Sequence, residues 1–332
     1  MSRRSWALAG IVIVMIVWGS TFVATKAAVH EIPPVTLTFL RFLIAAAVLV
    51  PIAAARGGLR RLPKPLPLAA LVLMGLIGVA IFHVGFTYAM VYGSAAQGAI
   101  AFALVPAAVV VAAVVGLKEA PSKRRITGIL LSVCGVALVV ATGERGSASP
   151  APLLGAAFML AAVAAWAAYT VLAKRLAGAD QVVVIACVSV IGMAIVLPAA
   201  AVELSLVPWP HPSLQGWLGT LFLGVVASAL AFVVYSRALR ELDASLVGAY
   251  LNLDPIVGVL TAVIFLGETL GLWQISGGVV ALAGMWLASV ERGGPDPTRE
   301  NRKSQWPWDA PGRRGRSFCC PTNSTPGSGK SS

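Results

Sequence analysis

Asn252, Asp254 and Pro255 stand within YLNLDPIVG (250–258), inside an apolar run long enough to cross a bilayer. Hydrocarbon disfavours all three. An Asp at the centre of a membrane helix costs about 2.5–3.5 kcal/mol on insertion scales, so it requires a partner, a proton or a wet cavity. Proline withholds a backbone N–H and frees nearby carbonyls, which must then face protein or water. At 1.5 Å of rise per residue, Asp254 falls about 15 Å from the nearer end of its run, close to mid-bilayer. Three cations in other apolar runs are candidate partners: Arg41, His83 and Lys26. Arg41 reads either as a cavity-facing cation or as a buried partner of Asp254 that fixes packing. His83 titrates near physiological pH, which suits either a proton relay or a satisfied interior histidine. Lys26 is near the end of its run, where a long side chain snorkels to the interface. Trp18 and Trp166 lie too deep for an interfacial belt, and Tyr169 follows Trp166 on the same face. Tyr88, Gln97 and Tyr250 fall within or near the ends of their runs, and Tyr88 also suits a belt. A cation, a carboxylate and aromatic walls together suit a zwitterionic amino acid, an aromatic one among them.

The elements that must position these groups are set by composition. The chain has 332 residues, 58% of them hydrophobic and 11% charged, against about 25% charged in a soluble domain. Ten apolar runs of about twenty residues are expected as bilayer crossings. They lie near 6–27, 34–55, 67–90, 95–116, 124–142, 152–173, 181–203, 215–237, 244–266 and 271–289. The runs lack period-2 alternation, so helices rather than barrel strands are expected. The first run is too long, and wrongly flanked, for a cleaved signal peptide.

Net charge is +12, and its placement excludes a nucleic-acid partner as the reason. Basic residues concentrate in alternate loops: Arg3 and Arg4; Arg56, Arg60, Arg61 and Lys64; Lys118, Lys123, Arg124 and Arg125; Lys174 and Arg175; Arg237 and Arg240. The intervening loops hold little beyond Arg145. By the positive-inside rule both termini of a multi-pass membrane protein are cytoplasmic. Cys134 and Cys187 sit within runs and Cys319 and Cys320 in the tail, so no disulfide framework is expected and the thiols in the runs read as small buried apolar residues.

The chain is written twice. Residues 86–138 align without a gap on 235–287, pairing Pro106 with Pro255, Glu119 with Glu268, Gly128 with Gly277 and Gly135 with Gly284 at an offset of 149. Trp18 and Lys26 pair with Trp166 and Lys174 at an offset of 148. Five runs per copy is an odd number, so the second copy enters from the opposite side, giving inverted-topology repeats of the kind found in secondary transporters. The expected organisation is a first five-helix repeat over 1–143, a second over 150–291, and a disordered basic cytoplasmic tail over 292–332. Within the repeats Pro106 and Pro255 read as bends or hinges, Glu119 and Glu268 as caps of the helices that follow them. Gly277, Ala281 and Gly284 read as a small-residue packing face.

The residues that carry the repeat also carry a resemblance. WGSTFVATK in the first run, LRFLIAA in the second, and the stretch YSRALRELDASLVGAYLNLDPIVGVLTAVIFLGETLGLWQISGGVVALAG resemble the EamA family of the drug/metabolite transporter superfamily over about 1–290. The first half departs in having Lys118 before Glu119, where Gly is usual. The resemblance implies a ten-helix, all-α basket around a central cavity, exporting amino acids or related small metabolites by a secondary active or facilitative route. Drug or nucleotide-sugar transport within the superfamily is the alternative.

Other classes fare worse. No HExxH, GxSxG or pair of intramembrane aspartates offers an enzyme centre. The tail's TPGSGKSS has Ser324 where a phosphate-binding loop needs its first glycine, and no strand or helix to frame it, which argues against an ATP-driven pump. Asn323 opens a formal glycosylation triplet on the cytoplasmic side, where it would go unused. No cofactor or metal is expected. The expected partners are a small-molecule substrate, the bilayer and a coupling proton, with the oligomeric state left open.

Overall fold

Runs of apolar sequence with no water to satisfy their backbone must close their hydrogen bonds internally, and here they do so as helices. The computed structural model describes residues 3–64, 67–117, 122–142, 149–173, 176, 178–242, 247 and 250–289. Lys118, Glu119, Arg145, Lys174, Arg175 and the tail from 292, with Cys319, Cys320 and Asn323, lie outside the described residues. The first half contains α1 (Arg3–Ala28), α2 (Pro34–Ala55), α3 (Leu68–Gly75, Leu76–Ile81 and Phe82–Tyr92), α4 (Ala95–Phe102), α5 (Val105–Leu117) and α6 (Lys123–Ala141). The second contains α7 (Pro152–Ala173), α8 (Gln181–Leu206), α9 (Leu214–Leu221, Phe222–Leu230 and Ala231–Glu241), α10 (Leu253–Leu266) and α11 (Leu272–Ser289). No strand occurs among the described residues.

Among the described residues, eight helices are long and apolar enough to cross a membrane, counting α4 with the start of α5 as one. The ninth and tenth expected crossings, α10 and α11, are shorter apolar helices. At 14 residues, α10 extends only about 21 Å. It falls short because it starts at Leu253, well after the expected 244. The break is at the proline in both halves. Pro106 is the second residue of α5 and Pro255 the third of α10. A first-turn N–H has no helical acceptor in any case, so proline begins a new helix there without cost. Each of these residues therefore opens a half-helix instead of kinking a continuous one.

Two further irregularities are mates across the repeat. The middle segments of α3 (Leu76–Ile81) and α9 (Phe222–Leu230) are π-helical. Such segments are rare and recur at functional sites.

The two halves meet along antiparallel seams. On α2 and α8, the Glu203 carboxylate accepts from the N–H groups of Val35 (3.1 Å) and Thr36 (2.7 Å), while Arg56 pairs with Asp180 (3.2 Å) at the other end. On α6 and α11, Gly128 faces Gly284 and Ala288, and Gly135 faces Gly277 and Ala281. A Cβ at Gly128 would stand 2.5 Å from the Ala288 nitrogen, so only glycine permits this approach. Ser132 donates to the Ala281 carbonyl (3.1 Å), its own mate 149 residues on. Other contacts come in mirrored pairs: α1 lies against α9 and α10, and its mate α7 against α3 and α5.

The exterior is apolar. Phe265 is 73% and Ile264 70% exposed, with Leu153, Leu206, Leu214 and Trp273 also outward. Soluble proteins do not carry so much contiguous apolar surface; with the membrane-length helices, it makes this a multi-pass membrane protein. Cys134 belongs to that outer surface: it is exposed, not the buried thiol expected, because the glycine face of α6 turns toward α11. Cys187 is half-buried, and both are free.

Candidate functional site

The π segment of α9 is a docking point for two candidate residues from the first half. Trp18 donates its indole N–H to the Ala227 carbonyl (3.0 Å), and Arg41 donates Nε–H to Ser228 Oγ (2.7 Å). The π segment of α3 plays the mirrored part. The Gly78 carbonyl bonds His83 Nδ1 (2.7 Å), and the Tyr169 ring of α7 lies so close to Gly78 that a Cβ there would stand 2.5 Å from it. A π turn widens the helix and leaves carbonyls off the regular ladder, which gives these side chains acceptors inside the bilayer. In each half the segment is thus seated against an aromatic residue from the first helix of the other half.

Aromatic rings join these points. Trp18 packs on Phe232 and Tyr235, each 5.2 Å between centroids. Trp166 packs on Phe82 (4.9 Å) and stacks on Tyr169 (5.4 Å), and His83 is edge-on to Phe42 and Phe82. The Arg41 guanidinium lies over the Phe42 ring, 5.9 Å from its centroid, and Phe42 in turn packs on His83 at 4.6 Å. The structure therefore gathers Trp18, Arg41, His83, Trp166 and Tyr169 into one connected set.

The remaining candidates are placed differently. Tyr88 joins Tyr92 and Phe158 in a cluster of three mutually packed rings toward the end of α3. Gln97 completes a capping box with Ser94 at the start of α4, and its carbonyl also accepts from Ser149 (3.1 Å). It lines a small cavity with Gly93, Pro152, Gly155 and Met159, about 10 Å³, room for roughly one water. That cavity does not reach Arg41, His83 or Asp254. Tyr250 is half-buried beside Trp18 and Tyr235 in an apolar cluster, and Asn252 occupies the N-cap position of α10 without a capping side-chain bond.

Asp254 is in the first turn of α10, 7% exposed, and its Oδ1 has no hydrogen-bond partner among the described residues. None of the three expected cations pairs with it. Arg41 and His83 are engaged as above. Lys26 does not snorkel: it is 3% exposed and donates Nζ–H bonds to the carbonyls of Met90 and Gly93, both 2.7 Å. The end of α3 offers it unpaired carbonyls, which a cation satisfies better than hydrocarbon would. Glu268 likewise caps a helix other than the expected α11. Its two oxygens accept from Ala95 and Ala96 N–H, both 2.8 Å, at the start of α4. Lys26 and Glu268 thus grip opposite sides of the α3–α4 corner. Ser228, Tyr235 and Glu203 escaped the sequence reading. A serine midway along an apolar run, and a tyrosine aligned by the repeat with Phe86, are the signals that could have found the first two.

The geometry can be set beside known proteins. The profile of the EamA-like transporter family matches twice, over residues 5–141 and 153–290. An uncharacterized transporter of Archaeoglobus fulgidus is 28% identical over 281 residues, covering 84% of this chain and 95% of its own. A probable terminal-alkyne amino-acid exporter of Streptantibioticus cattleyicolor is 27% identical over 288 residues, 86% of this chain and 93% of its own. A probable amino-acid metabolite efflux pump of Salmonella typhimurium is 26% identical over 297 residues, 86% of this chain and 95% of its own. A solved crystal structure shares the fold with a TM-score of 0.61 at 21% identity, covering 92% of this chain and all of that one. Two matched copies, mirrored packing and a membrane-length apolar exterior lead to one assignment: the chain is a member of the EamA-like transporter family, a transporter and not an enzyme.

Proposed function

We propose that the chain exports amino acids, aromatic ones among them, or related small metabolites across a bacterial inner membrane by alternating access. The observation that carries this reading is the connected set around the two π segments. Arg41 supplies a buried cation for a carboxylate, and Trp18, Trp166 and Tyr169 supply apolar walls with polar edges. Asp254, Asn252 and Tyr250 at the start of α10 complete the site on the other side of Trp18, with Tyr88 and Gln97 toward its outer end. Two relatives named for amino-acid export or efflux support the substrate class.

The two halves, over 1–143 and 150–291, act as inverted five-helix repeats in a ten-crossing bundle with both termini cytoplasmic. Antiparallel contact between the mates α6 and α11, and between α2 and α8, supports that topology. The breaks before Pro106 and Pro255 serve as hinges between half-helices. Rocking of one half against the other would expose the set to each side in turn.

Reconstitution into liposomes and exchange of labelled phenylalanine and threonine tests this. Saturable, counter-substrate-stimulated exchange that Arg41→Ala abolishes in folded protein is expected. Absence of exchange for both amino acids in folded wild type would remove the substrate assignment.

A further inference from the structure

We propose that Asp254 is a single-occupancy cation site, holding a proton or the ammonium group of the substrate in turn. The inference rests on the export reading above and names the group that couples it to protons.

The local backbone cannot satisfy this carboxylate. A carboxylate in the first turn of a helix ordinarily accepts from free N–H groups. Here the N–H of Asp254 is turned to the Leu251 carbonyl (3.2 Å), and the next residue, Pro255, has none. Among the described residues, the neighbouring helices do not supply its Oδ1 with a partner either. The elements packed closely on α10 are α1 and α4. Residues on α4 are uncharged, with Gln97 committed to the cap. On α1 the described titratable side chain is Lys26, bound to Met90 and Gly93. Because Gly19 meets Asp254 and Phe22 meets Gly258, α1 and α10 run in parallel. Lys26 is therefore about 10 Å further along, seven residues at 1.5 Å. Tyr250 and Tyr235 lie in the apolar cluster at this end, and each carries a hydroxyl in place of a charge-bearing side chain.

A buried ionised carboxylate with no partner is unstable in hydrocarbon, so the site must hold an exchangeable positive group. A proton on the carboxyl neutralises it in one state. In the other, the Asp254 O–H bond breaks, the proton leaves to the water on the open side, and the carboxylate accepts hydrogen bonds from the substrate –NH3+. On the opposite side the exchange reverses: the ammonium leaves and a proton binds. One carboxylate cannot hold both, so each amine-bearing molecule moved out is matched by one proton moved in.

Dicyclohexylcarbodiimide, which attacks protonated carboxyls away from water, tests this on the full chain in proteoliposomes, with the modified residue mapped by mass spectrometry. Asp254 should be labelled at mildly acidic pH, falling about tenfold per pH unit above its titration point, while the backbone-bound Glu203 and Glu268 remain unlabelled. Phenylalanine and phenethylamine should slow labelling and 3-phenylpropionate should not. Failure to label Asp254 in folded protein would overturn the proton site. Labelling that neither amine slows, or that 3-phenylpropionate slows equally, would overturn the shared site. Labelling needs no transport, so it reads separately from the exchange assay: exchange absent with phenethylamine protection present would count against phenylalanine and threonine as cargo and for the cation site.

Discussion

Two carboxylates bracket α10 and meet opposite fates. Glu268, just past its end, reaches back to two N–H groups of α4 and ties the second half to the first. Asp254, in its first turn, is more deeply buried and has an oxygen with no partner. Both are acids at the ends of one helix, so residue type does not explain the difference; the donors within reach do. A helix start with free N–H groups makes a carboxylate a structural tie. A start with proline at its third position leaves the carboxylate to whatever cation arrives. Acids in a membrane protein are thus sorted by their donors before they are sorted by depth.

The glycine seam sets the largest expected effect, since it holds both regions in place. Gly135→Leu drives a side chain into the backbone of Ala281 on α11, a cost of about 3 kcal/mol or more. Monodisperse folded protein should be lost on size-exclusion chromatography. A well-folded variant would mean the seam can open and that the two halves need not share it.

The acids themselves come next. Glu268→Ala removes two charge-assisted bonds from α4 and should lower stability by about 1–2 kcal/mol, read as a fall in midpoint during thermal unfolding in detergent. Asp254→Asn removes a charge that had no partner and should leave the midpoint unchanged or raised, while abolishing exchange. If instead Asp254→Asn unfolds the protein and Glu268→Ala does not, the roles assigned to the two acids are reversed.

How much of this was legible without coordinates follows the range of the interactions. The repeat could be read because proline, glycine and tryptophan recur at fixed offsets, and those residues are fixed by backbone geometry that both halves share. The break at Pro255 was partly legible, as a bend; that a new helix starts there depends on what precedes it. Lys26 and Glu268 were misplaced for one reason. Each is held by the α3–α4 corner, 64 and 173 residues away in sequence respectively, and local rules for snorkelling and capping cannot see so far. The π segments leave no mark in side-chain pattern, since a single shift of hydrogen-bond register needs no particular residue. Trp18 and Arg41 could be picked out as deep polar groups, but their acceptors could not.

Trp18 allows a smaller test. Trp18→Phe keeps the ring contacts with Phe232 and Tyr235 and deletes the N–H that holds the Ala227 carbonyl. A loss of about 1 kcal/mol is expected. If the π segment is a rigid anchor for substrate, exchange should fall by more than this loss of stability accounts for. Exchange that tracks stability alone would reduce Trp18 to packing.

The smallest effect belongs to Ser132, where a residue meets its own repeat mate. Its hydroxyl donates to the Ala281 carbonyl at 3.1 Å in a fully buried position. That carbonyl already accepts within its helix, so Ser132→Ala removes one bond and strands no donor; about 0.5–1 kcal/mol should be lost. Exchange should be unchanged, because the seam lies away from Asp254 and Arg41 and the glycines on either side still fix the approach. A substitution here that alters exchange without altering stability would mean the seam slides during transport. It would then belong with Asp254 among the moving parts, not with Glu268 among the fixed ones.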